Sequence, residues 1–127
     1  NIELAADIAG LSRKRPLIIY DFPAEMASLS RLKADDNRVA ERAEIFIGGL
    51  ELANIFSELT DPAEQRCRFA REIQTADSYK RKIDMPEDFL NTLKLLPETA
   101  GGALGIDRLV MLFCDTANIE DINAFPC

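Results

Sequence analysis

The chain has no histidine among its 127 residues. That one absence excludes Ser-His-Asp and Cys-His nucleophile systems, the HExxH zinc helix and imidazole proton shuttles. Cysteine is scarce: Cys67, Cys114 and Cys127 are odd in number and far apart, with no CxxC pair. Such spacing suits reduced thiols in a cytoplasmic protein, not a disulfide framework or a metal knot. Long apolar runs are also missing, so no segment is expected to span a bilayer, and no signal peptide is visible. Basic residues are outnumbered by acids, giving a formal net charge of −7. An acidic surface is a poor non-specific binder of phosphate backbones. RNA binding by a separate domain stays open. Nor does the chain start with Met; "NIELAADIAG" already reads as helix, and Asn1 is expected to be internal to a longer protein.

What is present is a foldable domain. Hydrophobic residues make up 47%, and the length suffices for one core. Ile2, Leu4, Ala5, Ile8 and Ala9 predict a short amphipathic helix ended by Gly10, followed by a solvated basic connection, Arg13 to Arg15. "PLIIYDFP" predicts a short buried strand, Leu17 to Tyr20, stopped by Pro23, and "AEMASLSRLKADDNR" a loop with a helical turn. In "AERAEIFIGGLELANIFSEL" two β-rich runs flank Gly48-Gly49, a hairpin signal. Asp61 caps a helix with Pro62 in its first turn and Glu64 completing a capping box. "TADSYKRKID" reads as a loop or frayed end. A helix opens at Pro86, with Phe89, Leu90, Leu93 and Leu96 on one face, and closes at Pro97. A last long helix starts near Ile106 and is expected to be buried on most sides, and "NIEDINAFPC" reads as a short helix or cap ending at Phe125-Pro126. The mixture predicts an α+β fold with an antiparallel sheet flanked by helices.

Two places carry chemistry. If Gly48-Gly49 is a two-residue turn, Ile47 faces Leu50, Phe46 faces Glu51 and Glu44 faces Ala53. Glu44 and Glu51 then share a face, and two neighbouring carboxylates call for a cation or proton between them. Magnesium bound with substrate phosphates suits such a pair; a half-solvated hairpin with its charges in water is the plain alternative. Asn54, Phe56 and Glu58 alternate in "ELANIFSEL" and suit an amine-bearing ligand, with Glu58 facing the cation. Regular pairing puts that trio on the face opposite Glu51, so a shared site demands a bulge near Leu52 or Ala53. The second place is "GGALGIDRLVMLF". It fits neither the dinucleotide fingerprint nor the phosphate loop ending in Gly-Lys-Ser/Thr. Permissive backbone leads into a helix N-terminus, where an arginine opposes the helix dipole. Arg108 therefore needs an anion, either a protein carboxylate such as Asp107 or a phosphate.

These residues resemble a known family. "GGALGIDRLVML" looks like motif 3 of class II aminoacyl-tRNA synthetases, and "ERAEIFIGGLELANIFSELTDPAEQRCRF" and "FPAEMASLSR" resemble the lysyl branch. The resemblance runs from about Pro16 to Pro126. Within that branch "DNRVAERAE", "GLELAN", "ELTDP" and Ala103 look closest to the truncated lysyl-tRNA synthetase paralogue that attaches (R)-β-lysine to elongation factor P; lysyl-tRNA synthetases usually have glycine where Ala103 stands.

The resemblance implies the C-terminal portion of a synthetase catalytic domain over residues 1–127, with its hairpin at 43–58 and motif 3 at about 101–115. Motif 1 and motif 2 would be absent. It implies ATP and Mg²⁺ as cofactors: Glu44 and Glu51 on the metal, Glu51, Leu52, Gly105 and Arg108 at the nucleotide, and Arg108 as the catalytic group on phosphate. Asn54, Phe56, Glu58 and Ala103 would line the pocket of a lysine-type amino acid. The implied partner is elongation factor P, or tRNA-Lys if the chain belongs to a true lysyl-tRNA synthetase, in a cytoplasmic homodimer without membrane contact. A non-catalytic paralogue serving as a binding module is a third reading. One departure supports it. Ile55 stands where both groups usually have glycine, and a β-branched side chain there is expected to narrow the pocket or force its backbone.

Overall fold

A computed structural model describes residues 2–80 and 82–125. The elements run α1 (Ile2–Ser12), β1 (Leu17–Pro23), a 3-10 turn (Ala24–Met26), β2 (Val39–Ile47), β3 (Leu50–Ser57), α2 (Pro62–Ser78), α3 (Glu87–Leu93), β4 (Ala100–Leu104), α4 (Ile106–Phe113) and a 3-10 turn (Ile119–Ile122). The four strands form one antiparallel sheet in the order β1-β2-β3-β4. The α+β expectation is met. The chain divides into two compact units, one of residues 1–21, 42–55 and 102–127, the other of residues 22–41 and 56–101.

In the first unit Gly48 and Gly49 turn β2 into β3 with φ of 65° and 88°. Both lie in the left-handed region that a type I′ hairpin requires and side chains resist. The N–H of Gly48 donates to the Ser12 carbonyl at 2.9 Å, which fastens α1 to the turn. Helix α1 passes through Gly10 to Ser12 instead of ending at the glycine. Glycine costs a helix about 1 kcal/mol but does not terminate it when the following carbonyls find partners. The side chains of Ile2, Leu4 and Ala5 lie outside the described residues, as does Pro126 at the predicted C-terminal end. Strand β1 is longer than expected and only half buried, with Ile18 and Tyr20 exposed. Its alternating exposure marks a strand with one covered face, which a short apolar run does not distinguish from a doubly covered one. Helix α4 departs from expectation too. Met111 is buried, while Ile106, Val110 and Phe113 are exposed. Its apolar pattern states which residues can be covered, not what covers them.

In the second unit Phe22, Ala27, Ala40, Leu59, Leu90 and Leu93 form the core, with Ser30 and Gln65 fully enclosed. Asp61 caps α2 as predicted, its Oδ1 accepting from the N–H of Ala63 at 2.8 Å. Glu64 turns instead to Arg68, whose Nε donates to it at 2.9 Å. The polar segment read as a loop or frayed end begins as the last turn of α2, which runs to Ser78. Helices α2 and α3 are joined by an edge-on Phe69–Phe89 pair 5.7 Å apart and by the forked Arg66–Glu87 ion pair. Leu90 and Leu93 are the buried residues of α3, whereas Phe89 and Leu96 stay partly exposed.

Candidate functional site

Register decides which side chains meet. At the hairpin turn Ile47 pairs with Leu50, and unbroken pairing sets Glu44 opposite Ala53. Instead Asn54 Nδ2 donates to Glu44 Oε1 at 3.3 Å. Arg42 Nε, on the same side of β2 as Glu44, also donates to Asn54 Oδ1 at 3.1 Å. Both contacts require β3 to have gained one residue on β2 between Leu50 and Asn54. This is the expected bulge, and it brings Asn54 onto the face of Glu44.

The other side of β3 is regular. The N–H of Gly105 donates to the Leu52 carbonyl at 2.8 Å, which sets Asn54 opposite Ala103 and Ile55 opposite Gly102. Glu44, Asn54 and Ala103 therefore form one row across β2, β3 and β4. Ile55, next to Asn54 in an extended strand, points to the other face. Its Cγ2 lies over Gly102, 2.6 Å from where a Cβ would stand. The expected narrowing of the pocket by Ile55 is thus not found on the Asn54 face.

Glu44 is largely enclosed, with 14% of its side chain exposed, and burial pushes its carboxyl above the usual range. Arg42 pulls it back down and the charge of Glu51 pushes it up again. The Arg42 guanidinium donates to Glu44 Oε1 at 2.6 Å and, through Nε, to Asn54 Oδ1 at 3.1 Å. Arg42 was not singled out in the sequence, although an arginine two residues before a glutamate on a strand shares its face.

Arg108 is half exposed, although its helix was expected to be buried on most sides. Nη1 donates to the Glu51 carbonyl at 2.7 Å and lies 3.8 Å from Glu51 Oε2. Its side chain runs back over Gly105, where an added Cβ would sit 3.4 Å from Cδ. Glu51, not Asp107, is the acid beside it. Leu52 is buried and its carbonyl is engaged, so it offers a ligand no side-chain surface. In the second unit Glu58 lies against Gly101, its Oε1 2.1 Å from the position of an added Cβ, and Phe56 is half buried. Two hollows of about 610 and 360 Å³ in that unit are lined by α2 with Tyr79 and Ile83, and by α3 with Leu95 and Leu96. They contain none of the predicted site residues.

The chain that carries the carboxylate hairpin, then the glycine strand and the arginine helix, matches the family of class II tRNA synthetases (D, K and N) over residues 8–127. The chain belongs to that family. It is 45% identical to the lysine–tRNA ligase of Anaeromyxobacter sp. (strain K) over 130 residues, covering 98% of the chain and 25% of the relative. It is 47% identical to the elongation factor P–(R)-β-lysine ligase of Hamiltonella defensa over 120 residues, covering 91% and 36%. The corresponding ligase of Proteus mirabilis is 45% identical over 119 residues, covering 89% and 35%. The class II synthetase chain thus spans about a quarter to a third of these relatives, all of them ligases of lysine or β-lysine by name. No described helix is long and apolar enough to cross a membrane.

Proposed function

We propose that the chain is the C-terminal part of an ATP-dependent ligase that activates lysine or (R)-β-lysine as an adenylate and transfers it to a lysine of elongation factor P. The observation that carries this reading is the row Glu44–Asn54–Ala103, with Arg108 and Glu51 in the same unit. The Asn54 amide beside the small Ala103 suits an amino acid, and the neighbouring Glu44 carboxylate suits the metal. A half-exposed guanidinium beside a helix N-terminus suits a phosphate.

Arg108 is the group for the ATP phosphate, with Gly105 beneath it and Glu51 and the Leu52 main chain bordering the nucleotide. Asn54, Phe56, Glu58 and Ala103 serve the amino acid, with Glu58 on an ammonium group. Glu44 and Glu51 fit Mg²⁺: both are hard oxygen donors, and Glu44 is raised partly by the charge of Glu51. Among the described residues no cluster of three or more metal-ligating side chains exists. Bound there, Mg²⁺ would neutralise phosphate charge. The substrate carboxylate attacks the α-phosphorus of ATP and pyrophosphate leaves; the acceptor amine then attacks the acyl carbon of the adenylate, giving up a proton as AMP departs. This chain's share is positioning and charge compensation, which needs no histidine.

The second reading, a lysyl-tRNA synthetase, draws on the 45% identity to a lysine–tRNA ligase over nearly the whole chain. Amino-acid-dependent ATP–pyrophosphate exchange by the protein carrying this domain, with α-lysine against (R)-β-lysine, tests the activation. Labelling of elongation factor P against tRNA-Lys then tests the acceptor. No exchange with either amino acid would leave the binding-module reading. The isolated 127-residue chain, without motif 1 or motif 2, is expected to form no adenylate; robust exchange by it overturns that expectation.

A further inference from the structure

The Arg42, Glu44 and Asn54 side chains close a triangle: Arg42 to Glu44 at 2.6 Å, Arg42 Nε to Asn54 Oδ1 at 3.1 Å, and Asn54 Nδ2 to Glu44 Oε1 at 3.3 Å. Guanidinium can only donate, and an ionised carboxylate can only accept. The amide atom facing Arg42 must therefore be oxygen, and the atom facing Glu44 must be nitrogen. Flipping the amide would set N–H against N–H and oxygen against oxygen. Because Arg42 and Glu44 are only 15% and 14% exposed, water compensates such a mismatch poorly.

We propose that Arg42 is a positioning residue that locks the Asn54 amide in one orientation and so fixes which hydrogen bonds the amide offers to the amino-acid substrate. The lock leaves one N–H and one lone pair of Asn54 for a ligand, in a fixed arrangement. Lysine at position 42 would keep a cation beside Glu44 but lose the fork that reaches Oδ1. The inference rests on the reading of Asn54 as an amino-acid contact.

Two measurements test it. In the protein carrying this domain, the Asn54 side-chain NH₂ should show slowed hydrogen exchange and shifted resonances, both lost in Arg42→Lys while the remaining amide spectrum stays dispersed. In the protein carrying this domain, Arg42→Lys should raise the KM for the amino acid in ATP–pyrophosphate exchange about tenfold, the factor carried by one buried hydrogen bond, with the KM for ATP unchanged. An Asn54 amide already free in the wild type overturns the proposal, even if Arg42→Lys fails to fold. So does an ATP KM that rises as much as the amino-acid KM, since Arg42 would then act through Glu44. A wild type without amino-acid-dependent exchange defeats the reading of Asn54 instead, and the resonance experiment still decides whether the lock exists.

Discussion

Single atoms on the glycines of β4 separate two faces. An alanine at position 101 would bring a Cβ to 2.1 Å from Glu58 Oε1, so the carboxylate must move. Gly101→Ala is expected to keep the fold, because the displaced atom ends a flexible side chain. It should raise the amino-acid KM without changing that for ATP; equal changes in both would argue against Glu58 as an amino-acid contact. Gly102 faces Ile55, whose Cγ2 stands 2.6 Å from an added Cβ. Gly102→Ala should cost about 1–3 kcal/mol through overpacking, and Ile55→Ala should recover most of it. A double-mutant cycle by urea unfolding measures the coupling, and additive losses would deny the contact. The exposure and orientation of Ile55 depend on parity along β3, so its residue type did not reveal which face it occupies.

At the scale of elements, β3 is read differently by its two neighbours. Against β4 the pairing is regular from Leu52; against β2 it slips by one residue before Asn54. Deleting Ala53 restores simple alternation with β2 but breaks the β4 register. The variant should unfold at clearly lower urea and lose the slow exchange of the Asn54 side-chain amide, and a wild-type midpoint would show the bulge to be dispensable. The Gly48-Gly49 turn and the Asp61 cap were legible because each follows from local backbone chemistry. The extent of α1 past Gly10 and of α2 to Ser78 was not, since helix ends depend on what receives their last carbonyls. The exposure of α4 escaped the sequence for a related reason: periodicity describes one helix, and burial needs a second surface.

For the whole molecule, pH links charge to stability. Glu41 is held below the ordinary 4.5 by the Ser57 hydroxyl and then by Arg31. Its contribution is fully present above pH 4.5 and is lost as pH falls through the depressed folded value. Glu44 has the opposite sign, since a raised carboxyl disfavours folding at neutral pH and that penalty eases on acidification. Urea midpoints between neutral and acid pH should show wild type exceeding Glu41→Gln at neutrality and converging with it in acid. A gap that persists below the folded pKa would assign the difference to packing. At the same scale, the chain covers 25–36% of the ligase relatives named above, so catalysis is a property to be measured on the protein that carries it.

The amino-acid order alone carried the chemistry. The missing histidines, paired carboxylates, glycine strand and arginine at a helix start excluded imidazole chemistry and carried the family resemblance. Those properties belong to residue types and short spacings, which local covalent geometry preserves. Tertiary structure settled register. One extra residue in β3 moves Asn54 onto the face of Glu44 and leaves Ile55 on the other, and it creates the Arg42 triangle that no spacing displayed. Side chains alternate with period two, so a slip of one residue exchanges the two faces of a strand, and only pairing with both neighbouring strands fixes where that slip occurs.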